Sequence, residues 1–205
     1  MNIINDLNNL FERWDSEFYN NNRFSEGDLA FLAVTSKFEC QFRDIVACFL
    51  HSLYKNDYLV AREWGKRIDL ALLDKSNPNN PVVLMEFKAV SSAEYIARFK
   101  KQIKKDYYKL KRLGDKIDKY LVLCVNLPAS KIEHAYKNAV KYFSSVNNYF
   151  DTTSSENDKF EELKRKVDNF IPELSLFKFE KPPILNLGNY YTTTIKIAVF
   201  VIGPF

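Results

Sequence analysis

The chain has 205 residues, of which 46% are hydrophobic and 27% charged; this excludes an intrinsically disordered chain and allows one substantial buried core. The 15% aromatic share beside only 5 Gly and 7 Pro likewise excludes a disordered tail or a repeat of short turns. A net charge of +4 and an isoelectric point near 8.8 permit a polyanionic partner without requiring one, because clustered Lys and Arg gain affinity by displacing counterions from phosphates.

Residues 1–13 are polar and Asn-rich and lack the basic-then-apolar layout of a secretory signal. Helical spacing starts at 3–19 and returns more strongly over 37–54, where Phe38, Phe42, Ile45, Phe49 and Leu53 repeat. Three aliphatic segments follow, 58–64, 67–73 and 82–88, broken by Gly65-Lys66 and by the turn-rich stretch 74–81, which predicts an antiparallel meander. Over 92–113 the positions Ile96, Phe99, Ile103 and Leu110 predict a long helix, with Gly114 where a stop is expected. A buried strand over 120–125 and an amphipathic helix over 131–143 come next. The polar stretch 147–158 reads as an exposed loop, 159–169 as a short helix, and β-branched 192–202 as a further strand in or beside the sheet.

No repeat or linker divides the chain, so one α/β domain over 1–205 is expected, with an elaboration over about 144–205. The longest apolar run, 197–202, falls short of the ~20 residues of a membrane-spanning helix. Cys40, Cys48 and Cys124 are odd in number, lack a CxxC pair and sit among apolar neighbours, the pattern of reduced core thiols and a cytosolic, non-membrane setting.

Two strands carry charges out of keeping with their surroundings. In Val82-Val83-Leu84-Met85-Glu86-Phe87-Lys88 an apolar run ends in opposite charges two residues apart. Period-two geometry therefore sets Glu86 and Lys88 on one face and Phe87 on the other. Asp69 interrupts the preceding apolar strand, and in a hairpin it faces Glu86. Two such carboxylates repel unless a cation lies between them, and hard oxygen ligands suit Mg²⁺ or Mn²⁺. The bland alternative is a strand end whose charges meet only water.

Arg67-Ile68-Asp69, a loop, then Met85-Glu86-Phe87-Lys88 resembles the motif of the PD-(D/E)xK, restriction-endonuclease-like nuclease superfamily, with Ile68 where the motif has Pro. The order helix, three strands, helix, strand over about 37–126 is similar to that family's αβββαβ core, a mixed central sheet flanked by helices. The resemblance implies catalysis by Asp69, Glu86 and Lys88. It also implies a metal held by Asp69, Glu86 and the backbone carbonyl of Phe87, namely Mg²⁺ with Mn²⁺ able to substitute. Glu39 matches the family's additional acidic residue, and Gln102 resembles a glutamine on the following helix of several branches, with Asp106 one turn further along.

Glu39 also completes a capping box with Ser36, so a helix cap and a site helper are both open. Glu63 is an acidic neighbour of Asp69 or a solvated edge charge. Lys101, Lys104 and Lys105, within a basic helix that also contains Tyr107 and Tyr108, are phosphate contacts or a solvated face. His51 and His134 are isolated and read as neither ligand nor base. The resemblance implies a metal-dependent endonuclease acting on double-stranded DNA, in restriction or phage defence, as a homodimer or with a partner subunit. Its alternatives are a repair, recombination or RNA-directed nuclease, and a non-catalytic nucleic-acid-binding module of the same fold.

Overall fold

The computed structural model describes residues 1–14, 27–35, 38–65, 68–90, 96–141, 143–144, 147, 165 and 183–205. Its frame is a mixed six-stranded sheet in the order β1-β2-β3-β4-β6-β5. The strands are β1 (Tyr58–Trp64), β2 (Ile68–Asp74), β3 (Asn77–Val90), β4 (Asp118–Pro128), β5 (Ile184–Tyr190) and β6 (Thr193–Ile202). Among the described residues the α-helices are α1 (Ile3–Glu12), α2 (Asp28–Thr35), α3 (Phe38–Tyr54) and α4 (Ile96–Lys111). Neighbours pair antiparallel except β3 and β4, which run parallel because α4 carries the chain back to the starting end of the sheet.

The pleat sorts side chains between two cores. Odd-numbered Met85 and Phe87 of β3 join Leu70, Leu72, Val122 and Cys124 under α1, α2 and α3. Phe42 of α3 meets Phe87 edge-on at 6.3 Å between ring centroids. Even-numbered Leu84 faces the other way, where Leu110 of α4 packs on it together with Ala71 and Leu73. Glu86 and Lys88 share the Leu84 parity, so the pleat turns both toward α4.

The expected meander is present, and the expected strand over 82–88 is longer at both ends. The β2–β3 turn is tight, with Asp74 opposite Asn77 and the Asp74 carboxylate accepting from the Ser76 N–H at 2.8 Å. Pro78 and Pro81 thereby fall inside β3. They are tolerated because β4 joins β3 only from Val83 onward, which leaves one edge of this stretch without a strand partner.

Other expectations are corrected. The helix expected over 131–143 is replaced by a short 3₁₀ turn, His134–Tyr136. Tertiary bonds draw its backbone away: Ile132 gives both main-chain groups to the Asn147 side chain, and the Lys141 N–H bonds to Val34 O. The first helix runs Ile3–Glu12, and positions 15–19 of the helix expected over 3–19 lie outside the described residues. Helix α3 buries the expected Phe38, Phe42 and Ile45 with Val46 and Leu50, Phe49 packs partly against the same core, and Leu53 is exposed. Cys40 and Cys48 lie off that stripe and are exposed, so only Cys124 is a core thiol. Two elements have no counterpart in the sequence pattern. Helix α2 is short and apolar on nearly every side, which hides its period, and β5 forms a hairpin with β6 around Tyr191, at φ 50°. All of the expected helix over 159–169 but Arg165, and all of the loop over 147–158 but Asn147, lie outside the described residues. No helix among the described residues is long and apolar enough to cross a membrane.

Candidate active site

The site forms where β2 stops short of β3. The β2–β3 register places Leu70 opposite Met85, and one step further brings Asp69 opposite Glu86. Past that point no strand among the described residues pairs with β3 on the β2 side, and two carboxylates take over. Asp69 Oδ2 accepts the Phe87 N–H at 2.8 Å, and Glu39 Oε2, from the first turn of α3, accepts the Ala89 N–H at 3.2 Å. An extended residue points its N–H and C=O the same way, so the Phe87 carbonyl opens on the edge where Asp69 lies.

Helix α4 supplies the rest. Ile103, Tyr107 and Leu110 form its buried stripe, which fixes its rotation. Asp106 and Lys109, three residues apart beside that stripe, then reach Lys88 and Glu86. The pairing is crossed: the helix acid meets the strand base, and the helix base meets the strand acid. Lys88 Nζ lies 3.2 Å from Asp106 Oδ2 and 3.4 Å from Glu39 Oε2, while Lys109 Nζ lies 2.5 Å from Glu86 Oε1.

Burial decides the charge states. Glu86 is only 4% exposed, which excludes a strand end whose charges meet only water. Desolvation pushes its carboxyl up to about 7; Lys109 pulls the other way, and the nearby Asp69 and Asp106 charges add to the rise. For Lys88, burial pulls downward, but Glu39 and Asp106 outweigh it and the pKa is raised. With these partners Lys88 is a firm ammonium. With every carboxyl ionised, the four carboxylates Glu39, Asp69, Glu86 and Asp106 stand against two ammoniums, Lys88 and Lys109, leaving two formal negative charges in a partly buried cluster. That excess matches one divalent cation. Among the described residues no group of three or more His, Cys, Asp or Glu is placed to hold a metal.

Of the residues singled out in the sequence, Asp69, Glu86, Lys88 and Glu39 are thus brought together. The Glu39 carboxylate is committed to Ala89 and Lys88, and its capping partner Ser36 lies outside the described residues. Gln102 is exposed one turn before Asp106 and has no part in the bonds tying the cluster. Glu63, in a left-handed conformation at φ 53°, pairs its carboxylate with Arg43 of α3 at 3.3 Å. Lys101 and Lys105 are exposed and Lys104 half-buried on α4; Tyr107 is core, against Phe205 at 4.9 Å between ring centroids.

Asp106 and Lys109 are functional candidates that the sequence motif does not single out. The first stands out only by its spacing from Gln102, and the second is one of many basic residues. The signal that marks them is their position flanking the 103/107/110 stripe. Comparison with protein-family models, with curated proteins and with solved structures finds no match.

Proposed function

We propose that the protein is a metal-dependent endonuclease that hydrolyses phosphodiester bonds, most naturally in duplex DNA, on a restriction-endonuclease-like core. The carrying observation is the convergence of Asp69, Glu86 and Lys88 on one sheet face, with an acidic excess equal to one divalent cation. The run α3-β1-β2-β3-α4-β4, with three antiparallel strands and a parallel fourth, supports the fold reading. A setting in restriction or phage defence follows from the family resemblance alone.

Asp69, Glu86 and the Phe87 carbonyl would hold Mg²⁺, or Mn²⁺ in its place, as a hard-oxygen set. Such an ion neutralises charge on the scissile phosphate and acidifies water. The chain's own contribution is positioning. Asp69 is locked by the Phe87 N–H, so its second oxygen has a defined direction. Lys88, kept protonated by Glu39 and Asp106, orients the attacking water by donating hydrogen bonds and offsets the negative charge that grows on phosphorus-bound oxygens. Glu39 and Asp106 are positioning residues for that ammonium. Exposed Lys101 and Lys105, with Lys104, lie on the helix that bears Asp106 and Lys109, and would contact the phosphate backbone.

Incubation with duplex DNA, branched DNA and single-stranded RNA, with Mg²⁺ or with a chelator, tests the reading. Mg²⁺-dependent cutting of duplex DNA is expected. Cutting of RNA or of branched DNA alone moves the same site to another substrate, and no cutting of any substrate leaves only a binding module.

A further inference from the structure

The two lysines of the cluster are held in different ways. Lys88 is clamped by Glu39 and Asp106, neither of which belongs to the proposed ligand set. Lys109 instead sits on Glu86, which does belong to it. Its ammonium, 2.5 Å from Oε1, takes a place on the carboxylate that a metal ion needs. The Glu86 side chain is 5% exposed and fixed in β3, while that of Lys109 is 28% exposed on a flexible four-carbon stem at the helix surface. Glu86 stays fixed and almost covered, whereas the ammonium can swing out to water.

We propose that Lys109 is a tethered counter-ion of Glu86 which the divalent ion displaces, so that this one ammonium sets the ion's affinity. The inference rests on the metal-site reading above. Without a cation, Asp69 and Glu86 are like charges on adjacent strands, and a buried carboxylate without a partner is strongly destabilising. Lys109 stabilises the ion-free protein wherever Glu86 is ionised. When the ion arrives, its free energy of binding is reduced by that of the pair it breaks, while Lys88 stays in its clamp. The device makes the ion bind more weakly than its ligands alone would allow, and therefore exchangeably.

Calorimetric titration of Mg²⁺ into nucleic-acid-free protein tests this, using wild type, Lys109→Met, Lys109→Gln and Glu86→Gln. The titrations are run at pH 8.5 to keep the carboxylates ionised, with thermal melts to select folded variants. Both Lys109 variants are expected to bind Mg²⁺ at least about tenfold more tightly than wild type, and Glu86→Gln to abolish binding. If either folded Lys109 variant binds no more tightly while Glu86→Gln still abolishes binding, the exchange is wrong and the metal site survives. If wild type does not bind Mg²⁺, or Glu86→Gln binds as wild type does, the metal site falls and the exchange with it.

Discussion

Glu86 is where stability and use conflict most directly. A carboxyl raised from its ordinary 4.5 to about 7 favours the fold most when protonated. The sign follows from linkage: this contribution is fully present below about 4.5 and is lost as pH rises through about 7. Glu86→Gln removes the titration while still accepting a bond from Lys109. The variant should match wild type near pH 4.5 and exceed it at pH 8.5 by on the order of 2 kcal/mol, read from urea denaturation at the two values. It should also lose Mg²⁺-dependent cutting, which is the trade expected of a functional residue. Glu39→Ala acts oppositely: it strips a bond from the Ala89 N–H and a partner from Lys88, and should destabilise by about 1–2 kcal/mol in the same assay. Asp69, Glu86 and Lys88 are legible in the sequence because a charge inside an apolar strand is an anomaly that requires a partner. Lys109 is not, because in a helix crowded with lysines only the phase of the buried stripe tells which one turns inward.

The strands and α4 can be read from the sequence because their apolar periods match their surroundings. Helix α2 and the segment 131–143 resist such reading for the converse reason. The first is apolar on nearly every side, and in the second long-range bonds from Asn147 and Val34 outweigh local helical spacing. Docking of α2 has a specific point of vulnerability. Gly27, at φ +96°, brings the start of the helix so close to β5 that an added Cβ would lie 2.5 Å from Asn189 O. Gly65, at φ +55°, has nothing within 4 Å of that position. Gly65→Ala should therefore cost about 1 kcal/mol, for backbone conformation alone, and Gly27→Ala clearly more, compared by urea denaturation. Helix α4 matters for chemistry as well as stability, since Leu110 seats it on Leu84 and Ala71. Leu110→Ala should lower stability by about 2–4 kcal/mol and loosen Asp106 and Lys109 from their strand partners.

Across the whole molecule, the sheet divides labour between its faces. Helices α1 to α3 cover one side with a large aromatic and aliphatic core, while the other side carries the charged cluster beneath α4. The lysines of α4 extend that cluster outward. Replacing Lys101, Lys104 and Lys105 together by Ala should weaken duplex DNA binding and reduce the slope of log affinity against log salt by about 1 for each phosphate left unneutralised, measured by fluorescence anisotropy. Whether Asp69, Glu86 and Lys88 form one phosphodiester-cleaving site is decided by Mg²⁺-dependent cleavage of duplex DNA. Wild type is compared with Asp69→Asn and Lys88→Met, each first shown to be folded. A fall of at least about 100-fold is expected for each variant; folded variants that cut at the wild-type rate would contradict a shared site.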